Sequence, residues 1–158
     1  MKTLSFFRLV LAVGLCLMVG AVGSLVTTPK IPTWYAGLAK PAWTPPNFVF
    51  PVAWTTLYVL MAVALWRLWQ LHRPSQRRRL AIGLWFVQLA LNALWSPVFF
   101  GMEAVGAALA VILVLWLAIA ATIWAAARID HVAAGLLTPY LLWVSYATAL
   151  NAAILALN

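Results

Sequence analysis

The chain has 158 residues, of which 66% are hydrophobic and 8% are charged, and its formal net charge is +8. A water-soluble domain contains about 25% charged residues, so this composition excludes an ordinary soluble protein and indicates a protein of the lipid bilayer. Charged residues are absent from five stretches, 9–29, 41–66, 80–102, 104–127 and 132–158. Each stretch reaches the roughly 20 residues that a helix needs to cross a membrane.

These stretches predict an all-α fold: an integral membrane bundle of five transmembrane helices in a single domain, residues 1–158. The predicted helices lie at about 5–26, 47–70, 79–100, 104–127 and 132–156. A membrane β-barrel would need segments of about ten alternating residues, and the uniformly apolar runs exclude it. One alternative stays open, because Lys2 and Arg8 precede an apolar run that ends in small residues. A cleaved signal peptide over residues 1–24 has the same features and would leave four helices.

The basic residues are distributed unequally between the two sides of the predicted bundle. With five spans, only Lys30 and Lys40 fall on the side opposite the N-terminus, and the other eight basic residues share the N-terminal side. Positive loops favour the cytoplasm, which predicts a cytoplasmic N-terminus and basic loop 72–79, with loop 27–46 and the C-terminus on the opposite face. The basic run is interpreted as an anchor to anionic lipid, so no nucleic acid is expected as a partner.

The connection between the first two helices is rich in proline and tryptophan. Prolines stand at positions 29, 32, 41, 45, 46 and 51, and proline fixes φ and removes a backbone donor. The stretch from Thr28 to Trp54 is therefore predicted to be stiff and largely non-helical until a helix begins near Phe48. Trp34, Tyr35 and Trp43 on such a loop suit an aromatic lid. Small residues near the end of the first helix favour close packing, and Gly23 among them is expected to border a cavity beneath the lid.

Three of the predicted helices carry a stripe of aromatic and polar residues at helical spacing. The second helix has Trp54, Tyr58, Met61 and Leu65; the third has Gln88, Asn92 and Trp95, before Pro97 and Phe99; the fifth has Tyr140, Trp143, Ala147 and Asn151. An amide buried in hydrocarbon is costly unless it is hydrogen-bonded. Two interpretations follow: the amides tie helices together, or they line a ligand cavity with the aromatic residues.

The connections give three further expectations. Glu103 is predicted to cap the fourth helix, where a negative charge complements the helix dipole, and Asp130 to cap the fifth. The short connection His72–Arg79 predicts that the second and third helices are antiparallel neighbours. Pro97 is expected to end or kink the third helix.

Catalytic and metal-binding motifs are missing. The sequence has no glycine-rich phosphate loop, no CxxC, no HExxH and no paired carboxylates. No charged residue lies inside a predicted span, which weakens an ion-coupled transporter. Neither catalytic nor metal-ligating residues are predicted, and Cys16 is interpreted as a packing residue.

Three segments resemble the TspO/MBR family of tryptophan-rich sensory and translocator proteins, formerly called peripheral benzodiazepine receptors. They are WYAGLAKPAWTPPNFVFPVAWTTLY (34–58), QLALNALWSPVFFG (88–101) and PYLLWVSYATALN (139–151), and the likeness extends over the whole chain. The resemblance implies five transmembrane helices, a frequent homodimer, and binding of porphyrins such as protoporphyrin IX or haem as non-covalent ligands. It also implies binding of synthetic benzodiazepine- and isoquinoline-type ligands. The tail after Asn151 has neither the tyrosine nor the basic residue of the eukaryotic sterol-recognition pattern, which is typical of a bacterial member.

The stripes and the resemblance together predict one ligand-binding set. Its members are Gly23, Trp34, Tyr35, Trp43, Trp54, Tyr58, Gln88, Asn92, Trp95, Phe99, Tyr140, Trp143, Ala147 and Asn151. The expected function is a membrane receptor or carrier that binds porphyrins and regulates tetrapyrrole or stress responses. The alternatives are an enzyme that degrades bound porphyrin in light and oxygen, and a transport or export subunit.

Overall fold

The computed structural model describes residues 2–71 and 75–158, and within these ranges it is helical with no β-strand. Its long helices are α1 (Lys2–Thr27), α2 (Val49–Gln70), α3 (Gln76–Ser96), α4 (Val105–Ala127) and α5 (His131–Leu157). Five helical segments are long and apolar enough to cross a membrane. The predicted all-α bundle with five spanning helices is confirmed.

The first helical segment is longer than predicted. After α1, a 3₁₀ turn (Thr28–Lys30) and a π-helical turn (Ile31–Tyr35) continue it, giving a candidate span of 33 residues, Thr3–Tyr35. Pro29 and Pro32 each lie within the first two positions of a new turn, where a missing N–H removes little hydrogen bonding. The predicted non-helical lead-in from Thr28 was therefore wrong as far as Tyr35. The irregular connection covers only residues 38–48, and α2 begins next to the predicted start at Phe48.

The helices form a closed ring. Around it, α1 packs on α2, α2 on α5, α5 on α4, α4 on α3, and α3 returns to α1. The expected pairing of α2 with α3 was wrong, because these two helices touch only sparsely and α2 packs chiefly on α1 and α5. A small residue on α1 explains this arrangement: Gly20 lets the ring of Tyr58 approach so closely that an added Cβ would lie 2.7 Å from its Cε2 atom.

One end of the bundle, called here the arginine end, is closed by charged and capping contacts. Asp130 accepts hydrogen bonds from the backbone N–H groups of Val132 and Ala133, which confirms the predicted cap of α5. Its carboxylate also pairs with Arg67, whose Nε lies 3.0 Å from Oδ2. Burial raises the pKa of Asp130, but the hydrogen bonds from Ala133, Arg67 and Val132 outweigh it and leave that pKa below its ordinary value.

Arginines also satisfy the last carbonyl groups of α2. Arg78 donates to the carbonyl oxygens of Leu68 and Trp69, and Arg8 donates to that of Trp69. The C-terminal carbonyls of a helix lack partners within it, so these guanidinium groups fix the end of α2. His72 and Arg73 of the predicted basic loop lie outside the described residues.

The opposite end, called the lid end, carries the irregular connection. Here the predicted cap by Glu103 was wrong, because Ala104 occupies the cap position of α4 and no side chain caps it. Glu103 has a left-handed backbone (φ 56°), and its carboxylate instead pairs with Lys30 at 2.6 Å. This ion pair ties the first helical segment to the connection between α3 and α4. Pro97 ends α3 as expected, and a π-helical turn, Pro97–Gly101, follows.

Candidate ligand cavity at the lid end

The five helices enclose a cavity of about 440 Å³ in the lid-end half of the bundle. This volume lies within the range of roughly 300–1,000 Å³ that is typical of small-molecule sites. Every helix contributes to its wall, and none of the described residues that line it is charged. The cavity therefore suits an uncharged or largely apolar ligand.

Aromatic rings form much of the wall. Trp95 stacks on Phe99 with ring centroids 4.9 Å apart and planes inclined by 24°. On α2, the rings of Trp54 and Tyr58 lie 5.5 Å apart. The two pairs lie on different helices, α2 and α3, and each contributes an aromatic surface to the cavity.

The amides next to these rings are occupied in holding helices together. The hydroxyl of Tyr58 donates to Oδ1 of Asn92 at 2.8 Å, and Nδ2 of Asn92 donates to the hydroxyl of Tyr140 at 3.0 Å. One amide thus connects α2, α3 and α5. For Asn92 the geometry matches the interpretation that buried amides tie helices.

Asn151 plays the same part nearer the lid. Its Oδ1 accepts from the indole N–H of Trp95 at 3.2 Å, and its Nδ2 donates to the carbonyl oxygen of Val105 at 3.0 Å. This amide connects α3, α4 and α5. Two amides, each hydrogen-bonded through both its oxygen and its nitrogen, hold the wall in place, and the aromatic faces remain for contact with a ligand.

Most of the predicted ligand-binding residues line this cavity. They are Gly23, Tyr35, Trp54, Tyr58, Asn92, Trp95, Phe99, Ala147 and Asn151. The structure does not bring Trp34, Trp43, Gln88, Tyr140 and Trp143 into its lining.

Three of these outlying residues lie behind the wall. Trp34 packs edge-on against Phe99 at 5.5 Å, and Tyr140 is fully buried 6.1 Å from Trp54. Gln88 is buried one turn below Asn92, and neither atom of its amide has a hydrogen-bond partner within the described ranges. A stripe drawn on a helix surface extends further along the axis than the cavity does.

The other two lie outside it. Trp43 packs on Tyr146 at 5.6 Å and is 48% exposed, while its carbonyl oxygen accepts from the Tyr146 hydroxyl at 2.9 Å. Trp143 lines a shallow outer groove between α2 and α5. Its ring packs edge-on against Phe50, which does line the cavity.

Several lining residues were not predicted from the sequence. Phe50 lies one turn before Trp54, and its helical spacing could have identified it. Ser96 faces Gly23 so closely that a Cβ on the glycine would lie 3.4 Å from Oγ. Ile112 and Leu115 of α4 also line the cavity, and in a uniformly apolar helix no sequence signal separates them from their neighbours.

The irregular connection, residues 38–48, is called the lid below, and hydrogen bonds fasten it to the helices. Asn158 and the backbone of Ala39 exchange two hydrogen bonds, each of 3.0 Å. Lys40 donates to the carbonyl oxygens of Tyr35 and Leu38. These contacts join the connection to the end of α5 and to the first helical segment.

Comparisons with known proteins agree with this architecture. The model of the TspO/MBR family matches residues 12–157. The chain belongs to the TspO/MBR family. With five candidate spans, this TspO/MBR chain is a multi-pass membrane protein, and the resemblance noted in the sequence is confirmed.

Named relatives cover most of the chain. The tryptophan-rich sensory protein of Cereibacter sphaeroides is 47% identical over 141 residues, 87% of each chain. The tryptophan-rich protein TspO of Chlorobaculum tepidum is 44% identical over 151 residues, 95% of each chain. The human translocator protein is 42% identical over 119 residues, 75% of this chain and 70% of the human one.

Proposed function

We propose that this TspO/MBR chain is a membrane receptor or carrier that binds porphyrins, such as protoporphyrin IX or haem, in the lid-end cavity and regulates tetrapyrrole or stress responses. The observation that carries the proposal is the cavity itself: it is walled by aromatic rings and has no charged residue among its described lining. The names of the relatives, sensory protein and translocator protein, are compatible with receptor and carrier roles.

The wall offers stacking surfaces for a flat ring. An aromatic pair contributes about 0.5–1.5 kcal/mol beyond the burial of its area, and Trp54 and Trp95 both line the cavity. Protoporphyrin IX also carries two carboxylates, for which the lining offers no cation. We therefore propose that these groups bind in their neutral, protonated form, while the macrocycle occupies the interior.

Synthetic benzodiazepine- and isoquinoline-type ligands fit the same description, because they are flat and largely apolar. We propose that they occupy the same cavity and displace a porphyrin competitively. We also propose that the protein forms a homodimer, which a measurement of the molecular mass of the protein in lipid nanodiscs tests.

Titration of the purified protein in nanodiscs with protoporphyrin IX tests the function. The expected result is a saturable shift of the porphyrin absorption band. Trp54→Ala should weaken binding about tenfold, which equals about 1.4 kcal/mol, because one stacking surface and its buried area are lost.

The matched control is Trp124→Ala. Trp124 is 56% exposed on α4 and packs against Arg128, away from the cavity, so its removal should leave the affinity unchanged. Absorption that rises linearly without saturation would contradict porphyrin binding. Equal affinities for Trp54→Ala and the unaltered protein would contradict the location of the site.

The orientation of the bundle is also a proposal. Arg8, Arg67, Arg78 and Arg128 lie at the arginine end, and the positive side of a membrane protein favours the cytoplasm. In a Cys16→Ala background, a cysteine at Ala42 should react with a membrane-impermeant maleimide in intact spheroplasts. A cysteine at Gln76 should react only after permeabilisation, and the opposite pattern would reverse the orientation.

A further inference from the structure

The cavity reaches the surface of the bundle along the first helical segment, along α2 and, at Asn47, in the connection between them. On the first helical segment, Thr3–Tyr35, four lining residues are also exposed and follow each other at helical spacing: Leu17, Ala21, Ser24 and Thr28. On α2, Pro51 and Thr55 both line the cavity and are exposed. A residue that both lines a cavity and is exposed marks an opening.

Helix geometry locates this opening. Each residue of an α-helix is rotated by about 100° from the one before it. Gly23 faces Ser96 of α3, and Gly20 faces Tyr58 of α2. By this rotation the exposed residues, such as Ala21, lie on the side of Gly20 that is remote from Gly23. They border α2, so the opening lies between α1 and α2 and faces the bilayer.

The gap between α1 and α2 is closed toward the arginine end and open toward the lid end. Tyr58 packs against Gly20, and further along the indole N–H of Trp66 donates to the carbonyl oxygen of Ser5 at 3.0 Å. Above Gly20 the residues that border the gap are small, with Ala21 on α1 and Thr55 on α2. We define the α1–α2 seam as residues 21, 24, 28, 51 and 55.

The seam is chemically suited to an uncharged ligand. None of its residues is charged, and its hydroxyl groups have partners: Ser24 pairs with Thr28 at 3.4 Å, and Thr55 donates to the carbonyl oxygen of Pro51 at 2.8 Å. A hydroxyl with a local partner presents little unsatisfied polarity to lipid. A charged group would face the cost of crossing hydrocarbon.

The lid shows the opposite chemistry. Asn158 and Ala39 are joined by two hydrogen bonds, and the hydroxyl of Tyr146 holds the carbonyl oxygen of Trp43. The Lys30–Glu103 pair adds an ionic tie beside the lid. These contacts hold the connection and the residues beside it at several points, and none of them lies across the α1–α2 seam.

We infer that the ligand reaches the cavity sideways, from the bilayer through the α1–α2 seam, and that the site selects uncharged, membrane-dissolved forms of flat aromatic molecules. For a porphyrin, the protonated or esterified form is admitted in preference to the dianion. The identity of the ligand rests on the proposed function, but the route can be measured with a probe of any kind.

A thiol inside the cavity reports the route. Ala147 lines the cavity on α5, which is not adjacent to α1 in the ring, so Ala147→Cys in a Cys16→Ala background places one reactive group across from the seam. The protein is reconstituted in vesicles, and its labelling rate is measured with pyrene maleimide dissolved in the lipid and, separately, with a charged maleimide in the water.

The seam is then narrowed by Ala21→Phe, with Thr55→Phe as a second variant on the other helix. Each variant is expected to slow labelling from the lipid about tenfold, which corresponds to an increase of about 1.4 kcal/mol in the activation free energy of entry. Val22→Phe is the matched control, because Val22 is adjacent in sequence, 54% exposed and outside the cavity lining. Asn158→Ala, which loosens the lid, should leave this rate unchanged.

Two results would overturn the lateral route: seam variants that are labelled as fast as the Val22→Phe control, or charged reagent that labels quickly and faster still in Asn158→Ala.

A protection experiment separates the route from the proposed function. Protoporphyrin IX dimethyl ester in the lipid should slow the labelling more than the free acid does. Labelling that depends on the seam but is not slowed by either porphyrin would retain the route and contradict porphyrin binding. Protection by the ester without dependence on the seam would do the reverse.

Discussion

The two halves of the bundle are built from the same five apolar helices, yet the arginine-end half is solid and the lid-end half is hollow. Trp85 and Trp95 illustrate the difference on one helix. Trp85 is fully buried, and its indole donates to the carbonyl oxygen of Met61 at 3.1 Å, so it fills the space between α3 and α2. Trp95 is tied to Asn151 and presents its ring to the cavity. On α3, therefore, one indole fills the interior of the bundle and the other forms part of the cavity wall.

Removal of Trp85 should reduce the difference in packing between the two halves more than any other substitution. Trp85→Ala should destabilise the protein by about 3–5 kcal/mol, the cost of emptying a large buried site, and it would create a second cavity in the solid half. Unfolding by a denaturing detergent, followed by helical circular dichroism, measures the change. The control Trp124→Ala removes an exposed indole and its contact with Arg128, with an expected cost of about 1 kcal/mol or less. Equal costs for the two variants would contradict the difference in packing.

The boundary between the halves lies where Gly20 meets Tyr58. In Gly20→Ala the new methyl group would stand 2.7 Å from the Tyr58 ring, whose hydroxyl is held by Asn92. The resulting overpacking should cost about 1–3 kcal/mol, and it should weaken ligand binding because the displaced ring lines the cavity.

Gly14 on the same helix is the matched control. A Cβ at this position has nothing within 4 Å, so Gly14→Ala should raise stability by up to about 1 kcal/mol through helix propensity. Thermal unfolding in one detergent compares the two variants. Changes of the same sign at both glycines would contradict the close approach of α1 and α2.

Composition and charge spacing were sufficient to predict the five spans, because a bilayer fixes the length of a helix and leaves its surface apolar on every side. That same uniformity conceals the order of the helices. The close approach of Tyr58 on α2 to the backbone of α1 occurs at one glycine, Gly20. Nothing in the local sequence distinguishes Gly20 from the other small residues of α1. The prolines were misleading for a related reason: Pro29 and Pro32 break an α-helix only if it keeps one hydrogen-bond pattern, and the chain changes pattern at each of them.

Two coinciding signals predicted part of the candidate site. Trp54 and Trp95 combine an aromatic ring with a stripe that points inward, and both line the cavity. Trp43 carries the aromatic signal without a stripe and is exposed. Trp143 carries both signals, yet the structure places it at the outer groove between α2 and α5. Whether any of these rings contacts a ligand stays a prediction, which the porphyrin titration measures.

Asp130 helps to hold the solid half together, and its removal should cost less stability than the loss of Trp85. Asp130→Ala removes the cap of α5 and the partner of Arg67, at a cost of about 0.5–2 kcal/mol. Asp130→Asn retains a good capping residue and removes only the charge, so it should cost less. Equal losses in the two variants would assign the whole effect to the ion pair.

The Asp130 carboxyl also gives a pH dependence. Its pKa is lowered in the folded protein, and an unfolded aspartate has a pKa of about 3.9. The stabilisation is therefore fully present above about pH 4 to 5 and is lost as the pH falls through the folded pKa. Stability curves of Asp130→Asn and the unaltered protein should differ at pH 7 and converge below pH 4. A difference that grows on acidification would contradict the lowered pKa.

Substitution of Asn92, with an expected effect of similar size, distinguishes an amide that holds the wall from one that holds the ligand. Asn92 has both ends of its amide engaged, by Tyr58 and by Tyr140, so Asn92→Leu should reduce stability by about 1.2 kcal/mol, because a hydrogen bond between membrane helices contributes about 0.6 kcal/mol on average. Porphyrin affinity should change less than it does in Trp54→Ala. A double-mutant cycle with Tyr140→Phe isolates the bond, and a coupling energy near zero would contradict it. If Asn92→Leu instead lowered affinity more than stability, the second N–H or lone pair of the amide would contact the ligand, and Asn92 would belong to the binding site as well as to the wall.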